Sequence, residues 1–548
     1  MPNWTDQLRD RVELAAQRAL GEQDASPYAA TAGCFDRRYW AWKLVDFPEA
    51  TFQRLVYPLA LLYRDPLSRL HGQADVLAAI RAGLAYAARI QHRDGSFDQA
   101  FPFERSYGAT AFLLYPLLEA ARLIDEHLSA DARAGVERMT RRAAAFLCDH
   151  DERHGMIANH LAGAGVALFA AADRFGEPRF EQRAAELVDR VLAAQSAEGW
   201  FSEYGGADPG YQTLCVDYLS DAAERRPSSR LDEALDRAVG FLQWFAHPDG
   251  TFGGVYGSRR TSLVYPGGLA RLSSRSAVAA ALCETTGAAM ARGDTAGPAT
   301  MDAGNLAPML TSVTRGLPFL REGMGAGATL PCDRPAARGD FPQAGIHVRG
   351  TGGYYAVFGV ANGGTLAVFS RTSRRLVLDD GGYVAALADG TLATTQVADG
   401  ARRAAVGEAT IEIEAPFAEM PTAIPTPARF LLLRALNLTA MRSIAIGNWV
   451  KRRLVGLLMT GGRAVPMRLT RRVSFDETTV RVNDRIENPN GLALRWMAGG
   501  QPFSGIHMAS AGYFHAGRLG TASAPQAVDV DRLARDRAID LTRLIQTE

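Results

Sequence analysis

QSAEGWFSEYGGADPGYQTLCVDYL, residues 195–219, holds one complete connection and the start of the helix that follows it. A polar run meets Gly199 and the aromatic pair Trp200-Phe201, and the breaker Pro209-Gly210 then opens an apolar stretch headed by Tyr211. The turn at its front recurs as QHRDGSF (91–97), DERHGMI (151–157) and AHPDGTF (246–252). Their glycines, at 95, 155, 199 and 250, are 60, 44 and 51 residues apart, and a period near fifty fits two helices and two connections. In LDEALDRAVGFLQWFA (231–246), Leu231, Leu235, Val239 and Leu242 share one helical face, with Asp232, Glu233 and Arg237 off it. Residues 1–290 therefore read as a helical-hairpin repeat. Closure into an (α/α) toroid is favoured over an open solenoid, because short Gly-aromatic turns can pack around one central cleft. Phe97, Trp200 and Phe252 also have a plainer use, as plugs for hairpin ends.

Residues 291–340, with ARGDTAGPATMDAGNLAP and GMGAGATLPCDRPAARGD, read as a linker or inter-domain segment. Beyond it the period changes from helical to alternating. YYAVFGV, TLAVFSR, RRLVLDD, EATIEIEAPF, TTVRVNDRIE and LALRWMAG are short, β-branched and aromatic, separated by NGG, DGG and NPNG turns. Without helical crossovers between them, residues 341–548 predict an antiparallel β-sandwich. The final VDVDRLARDRAIDLTRLIQ reads as a charged helical tail. The fold class is thus α+β multidomain, a toroid followed by a sandwich.

The chain has 548 residues, 47% hydrophobic and 22% charged, enough for two or more cores. Sixty basic and fifty-nine acidic residues give a formal charge of +1, so nothing global points to nucleic acid or an anionic membrane. Cys34, Cys148, Cys215, Cys283 and Cys332 are odd in number and form no C-x-x-C pair, which suits free thiols. The opening MPNWTDQLRDRVELAAQRAL lacks the apolar core of a secretory signal, and no apolar run is long enough to span a bilayer. A soluble, cytoplasmic protein is expected, periplasmic only if a signal was removed; its oligomeric state is open.

Asn159 and His160, in GMIANHLAGAGVAL, stand between a Gly155 turn and an apolar helix, and Tyr211 holds the equivalent place one repeat later. Equivalent turns of a hairpin repeat gather at one edge, so the three side chains can converge. Helix N-termini add unpaired N–H groups and partial positive charge, which favour a carboxylate. An amide, an imidazole and a phenol suit β-elimination from a 4-linked uronate. The C5 proton becomes acidic only once the neighbouring carboxylate is neutralised, and an amide and an imidazole do this without adding negative charge. A tyrosine can move protons, but its ordinary pKa of about 10 requires a nearby cation if it is to act as base. Arg259, Arg260 and protonated His160 are the local choices. Each member also has a bland use: Asn159 as an N-cap, His160 as a surface residue, Tyr211 as packing.

NHLAGAGVAL, GWFSEYGGADPGYQTL and the β half with FPQAGIHVRGTGGYYAVFGV and LVLDDGGY together resemble the alginate lyase and heparinase II/III class of polysaccharide lyases. The resemblance implies an (α/α) toroid before an antiparallel sandwich, with Asn159 and His160 neutralising the uronate carboxylate and Tyr211 transferring protons. It also implies a histidine from the sandwich as base: His347 in GIHVRG first, His507 in SGIHMAS second. FERSYGATAF (103–112) and VYGSRRTSLVYPGG (255–268) supply candidate sugar contacts in Arg105, Arg259 and Tyr265, with Tyr204 a further one. The expected partner is an acidic poly- or oligosaccharide. No cofactor is required, and a structural zinc or calcium has no support in the sequence.

Rival chemistries are a uronyl C5-epimerase, which shares the first half of the mechanism, and a non-catalytic glycan-binding protein. A glycoside hydrolase would draw on Glu203 with Asp208, or Asp94 with Asp98. A triterpene-type cyclase would need an Asp-rich motif, but Asp379-Asp380 lies in a predicted strand. His150 and His154 have i, i+4 spacing in a turn with no third metal ligand.

Overall fold

The recurring turn is one backbone motif. In QHRDGSF, QSAEGWF and AHPDGTF the glycine amide donates to the carbonyl three residues earlier, and the second residue's amide donates to the carbonyl of the sixth. Gly95, Gly199 and Gly250 adopt left-handed φ of 94°, 97° and 82°. A Cβ at Gly199 would lie 2.3 Å from the Arg237 carbonyl oxygen, so only glycine fits. Gln91 and Gln195 each tie their turn to the outer helix of the same hairpin, bonding the Met139 and Ala234 carbonyls at 2.8 Å. Phe97, Phe201 and Phe252 are buried plugs. In the fourth turn, residues 153–156, with His154 and Gly155, lie outside the described residues.

The computed structural model describes residues 3–152, 157–396, 403–420, 426–443, 446–450, 463–500, 512–519 and 525–547. Its helical half runs α1 (Trp4–Glu22), α2 (Arg37–Trp40), α3 (Val56–Arg64), α4 (Ala74–Ile90), α5 (Tyr107–Leu123), α6 (Ala130–Asp149), α7 (Ala158–Phe175), α8 (Pro178–Ala193), α9 (Pro209–Arg225), α10 (Ser229–Leu242), α11 (Pro266–Leu272), α12 (Ala277–Arg292) and α13 (Ala303–Gly316). Helices α3, α5, α7, α9, α11 and α13 each pack on the next, and α13 returns to α3. The inner ring is therefore closed, and α4, α6, α8, α10 and α12 pack outside it. Composition decides which helix goes where: α7, ANHLAGAGVALFAAADRF, buries 14 of 18 residues, while amphipathic α8 buries 6 of 16. None of the described helices is long and apolar enough to cross a membrane.

Residues 303–316, read as linker, instead supply the ring-closing helix. Pro308 and Gly304 disguised a buried stripe of Leu306, Met309, Leu310 and Val313, and Asp302 caps the helix start.

After β1 (Ser202–Glu203) and β2 (Gly206–Ala207), a short hairpin inside the toroid, two antiparallel sheets follow. The first is a meander of β3 (Ala337–Phe341), β4 (Ile346–Gly350), β5 (Tyr354–Gly359), β6 (Thr365–Ser370) and β7 (Arg375–Asp380). The second contains β8 (Tyr383–Leu387), β9 (Leu392–Thr394), β10 (Arg403–Val406), β11 (Thr410–Glu419), β12 (Ala464–Phe475), β13 (Thr479–Glu487), β14 (Leu494–Gly499), β15 (Gln526–Ala527) and β16 (Ala538–Gln546). Their order is β15-β14-β8-β9-β11-β12-β13-β16, with β10 beside β11. Strand parity sorts the meander's side chains. Ile346, Val348, Tyr355, Val357 and Phe369 join the toroid core, while Tyr354, Ala356, Phe358 and Val368 pack on Ile411, Ile413, Val473 and Val482 of the second sheet. The expected helical tail is half wrong. Only Val530–Asp536 is helical, and AIDLTRLIQ alternates Ile539, Leu541 and Ile545 as strand β16 against β13.

Candidate active site at the toroid rim

The connections before the inner helices lie at one rim, so α5, α7, α9 and α11 turn their N-termini the same way. The sandwich docks there. Asn362 Nδ2 donates to the carbonyls of Val255 (3.1 Å) and Gly257 (2.7 Å), and Tyr355 donates to that of Trp244 (2.7 Å).

Asn159 and His160 sit in the first turn of α7, and Tyr211 in the first turn of α9. Asp208 caps α9: its Oδ1 accepts from the Tyr211 amide (3.0 Å), and its Oδ2 from the Arg259 amide (2.9 Å). One buried aspartate thereby fixes Tyr211 and Arg259 to each other. The Arg259 guanidinium lies 3.9 Å from the Tyr211 ring centroid and 5.1 Å from that of Tyr204. Its Nη1 is 3.0 Å from Glu203 Oε1, and Glu203 Oε2 accepts from Asn159 Nδ2 at 2.7 Å. A continuous line of contacts, Asn159–Glu203–Arg259–Tyr211, thus joins three of the expected residues through Glu203.

Electrostatics follow from burial. Burial raises the Glu203 carboxyl above its ordinary range, and Arg259 and His160 hold it back. Burial also pulls Arg259 down, but Tyr211, Glu203 and Tyr204 outweigh it, so its charge is secure. Burial lowers Arg260 to about 10, with Asp379 opposing the fall. Burial pushes Tyr204 up to about 12.

His160 Nδ1 is 2.9 Å from Glu152 Oε2, and its ring meets Phe112 edge-on at 4.9 Å. Phe112 in turn stacks on Tyr218 at 5.9 Å. Arg54 lies 5.8 Å from the Phe112 ring and electrostatically near Tyr218, Tyr265 and Tyr211. Tyr513 reaches the same region from the C-terminal half, bonding Asn305 near Tyr211 and Tyr265. Sequence reading missed Glu152, Arg54, Tyr218 and Tyr513. Tyr218 alone carried a signal, two helical turns after Tyr211 on the same face.

Two expectations are corrected. His347 is not in this cleft. It pairs with Phe358 across the sheet and so lies on the face turned to the second sheet, its Nδ1 2.9 Å from Asp340. Tyr265 is 2% exposed, buried near Tyr211, Tyr218 and Arg54, and so is unavailable for stacking on a sugar. Arg105 is half-buried in an adjoining pocket, 3.5 Å from Asp94. Tyr204 is exposed at the cleft, and His507 lies outside the described residues. The rival carboxylate pairs are committed to backbone: Asp208 to the amides above, and Asp98 to those of Phe103 and Arg105. Among the described residues no His/Cys/Asp/Glu group could hold a metal ion.

The fold is that of the toroid-and-sheet polysaccharide lyases. The chondroitin AC lyase of Streptomyces coelicolor A3, solved with chondroitin sulphate, is similar at TM-score 0.57 and 13% identity, over 91% of this chain and 68% of that one. A Paenibacillus xanthan lyase is similar at TM-score 0.53 and 13% identity, over 91% of this chain and 47% of that one. The chain spans about half the length of the xanthan lyase. No curated protein matches it. Residues 50–270, from the approach to α3 through most of α11, match the family model of the ulvan lyase N-terminal domain. The domain match and the fold both agree with the resemblance of the motifs to polysaccharide lyases.

Proposed function

We propose that the protein cleaves a uronate-containing glycan by β-elimination at the rim cleft. The observation that carries this is the position of Arg259, between the Tyr211 ring and the Glu203 carboxylate that holds Asn159. The substrate carboxylate is received by Asn159 and His160 at the positive end of α7. Glu203 spends one amide hydrogen of Asn159 and so fixes the plane in which the other is presented. Loss of the C5 proton puts negative charge on the sugar, which these donors stabilise. Tyr211 transfers protons beside a permanent cation, the condition its phenol requires. It protonates the departing O4 as the C4–O4 bond breaks, leaving an unsaturated uronate.

A specific contact favours a second assignment for the base. Glu152 holds His160 Nδ1, while Nε2 makes no hydrogen bond among the described residues. A carboxylate-oriented imidazole is the arrangement of a general base. With His347 outside the cleft, we assign the C5 proton to His160 in this second reading, leaving Tyr211 as acid.

The reading is tested with a panel of alginate, heparan, chondroitin and bacterial exopolysaccharides, following the ultraviolet absorbance of the unsaturated product. Deuterium exchange into the uronate without chain cleavage would indicate an epimerase, and new reducing ends without absorbance a hydrolase.

A further inference from the structure

Beside the cleft lies a second, strongly basic pocket that the elimination does not use. His92, Arg93, Asp94, Phe103, Arg105 and Arg442 line an open cavity of about 570 Å³. Five of them come from the connection before α5, and Arg442 comes from the excursion between β11 and β12, so both halves of the molecule build it. The Arg442 guanidinium lies 4.9 Å from the Phe103 ring centroid, and His92 faces the same ring at 5.8 Å.

The connection is held in a costly conformation. Phe103 and Arg105 adopt left-handed φ of 60° and 49°, a region that bulky residues rarely occupy. Asp98 enforces it, accepting from the amides of Phe103 (2.8 Å) and Arg105 (2.9 Å) while lying 2.8 Å from His92. Glu104 accepts from the amides of Gln99 and Ala100, closing the same loop. Four acceptor contacts to backbone therefore fix the directions in which Phe103 and Arg105 point.

The charge within is not balanced. Asp94, 3.5 Å from Arg105, is the carboxylate in the lining, against three guanidinium groups. Arg93 and Arg442 make no ion pair among the described residues, and the buried Nε of Arg105 has no hydrogen-bond partner there. Three guanidiniums around one cavity repel each other, and an oxyanion placed among them would relieve that repulsion and supply the missing acceptor. The position suits the same ligand chain as the cleft. A Cβ at Gly108 would lie 2.8 Å from His160 Nδ1, and Arg105 is three residues upstream, at most about 10 Å along the backbone.

We propose that Arg93, Arg105 and Arg442 form a subsite for a second oxyanion of the polymer, a sulfate ester or carboxylate on a sugar beyond the one being cleaved. The inference rests on the glycan reading for the nature of the ligand, but not on the elimination chemistry. Binding is therefore measured calorimetrically in the Tyr211→Phe background, where turnover cannot interfere, with a chondroitin sulfate hexasaccharide, its desulfated form and its carboxyl-reduced form. Arg93→Ala/Arg442→Ala removes two exposed side chains and should leave the melting temperature unchanged. Affinity for the intact hexasaccharide is expected to fall about tenfold, and more steeply at low salt. The form whose affinity no longer responds to the arginine substitutions identifies which oxyanion the subsite takes. Equal affinities of the parent and the double variant for all three ligands would overturn the proposal. In the Tyr211-containing enzyme the double variant should raise KM with kcat unchanged. Arginine-dependent binding by a protein that turns over no uronate would retain the subsite and remove the lyase mechanism.

Discussion

The chemistry proposed for Tyr211 depends on how its neighbours hold it. Alone it is an aromatic ring at a helix start, but Asp208 ties its amide and that of Arg259 to one carboxylate, so ring and guanidinium cannot drift apart. Glu203 is the residue the sequence undersold, since a buried glutamate between an arginine and an asparagine is recognisable only after folding. Its carboxyl titrates above the ordinary 4.5 because burial disfavours the charge. As pH falls through that raised value Glu203 becomes neutral, weakens its pairing with Arg259 and releases the Asn159 amide. An acid limb in kcat/KM above pH 4.5 is expected in the parent, and Glu203→Gln should remove that limb while lowering the plateau by about ten- to a hundredfold. A pH–rate profile unaltered by Glu203→Gln would contradict the assignment.

Among elements, the glycine turns and the inner helices were legible in sequence because each obeys a local rule. A left-handed glycine recurs in the three described copies of the turn, and the near-continuous apolar run of α7 marks a helix enclosed on all sides. The positions misread were those where one residue of phase decides the outcome. His347 lies in a strand whose two faces are both buried, so hydrophobicity could not say which face meets the toroid. Residues 303–316 carried a proline and small residues that imitate a linker, and AIDLTRLIQ is too charged to announce an edge strand. The turn rule is testable. Gly199→Ala must place a Cβ 2.3 Å from the Arg237 carbonyl oxygen at positive φ, so a loss of about 1–3 kcal/mol is expected in thermal or denaturant unfolding. An unchanged stability would mean the turn is not the constraint claimed.

For the whole molecule, the first sheet serves as a wall between two cores, and its toroid-facing side sets the rim loop that carries Arg259. Asn362 is the clearest strut, donating to two carbonyls of residues 255–257. Asn362→Ala leaves both buried acceptors without that donor, a cost of about 1–3 kcal/mol. It should loosen Arg259 and so reduce kcat/KM more than its effect on melting would suggest; activity equal to the parent would show that the sandwich merely props the toroid. The overall order of toroid then sandwich could be read from the change of hydrophobic period. How the two halves meet could not, since Asn362, Tyr513 and Arg442 belong to no motif and reach the rim only through tertiary packing.

We propose that Tyr211 moves the protons of an elimination at this rim. It is tested most directly by following unsaturated-uronate absorbance for the parent and Tyr211→Phe on the glycan the parent cleaves, with binding measured in parallel. Tyr211→Phe is expected to lose at least about a hundredfold in kcat while its affinity stays within a few-fold of the parent. Full activity in Tyr211→Phe, or cleavage that yields reducing ends without the absorbance, would contradict it.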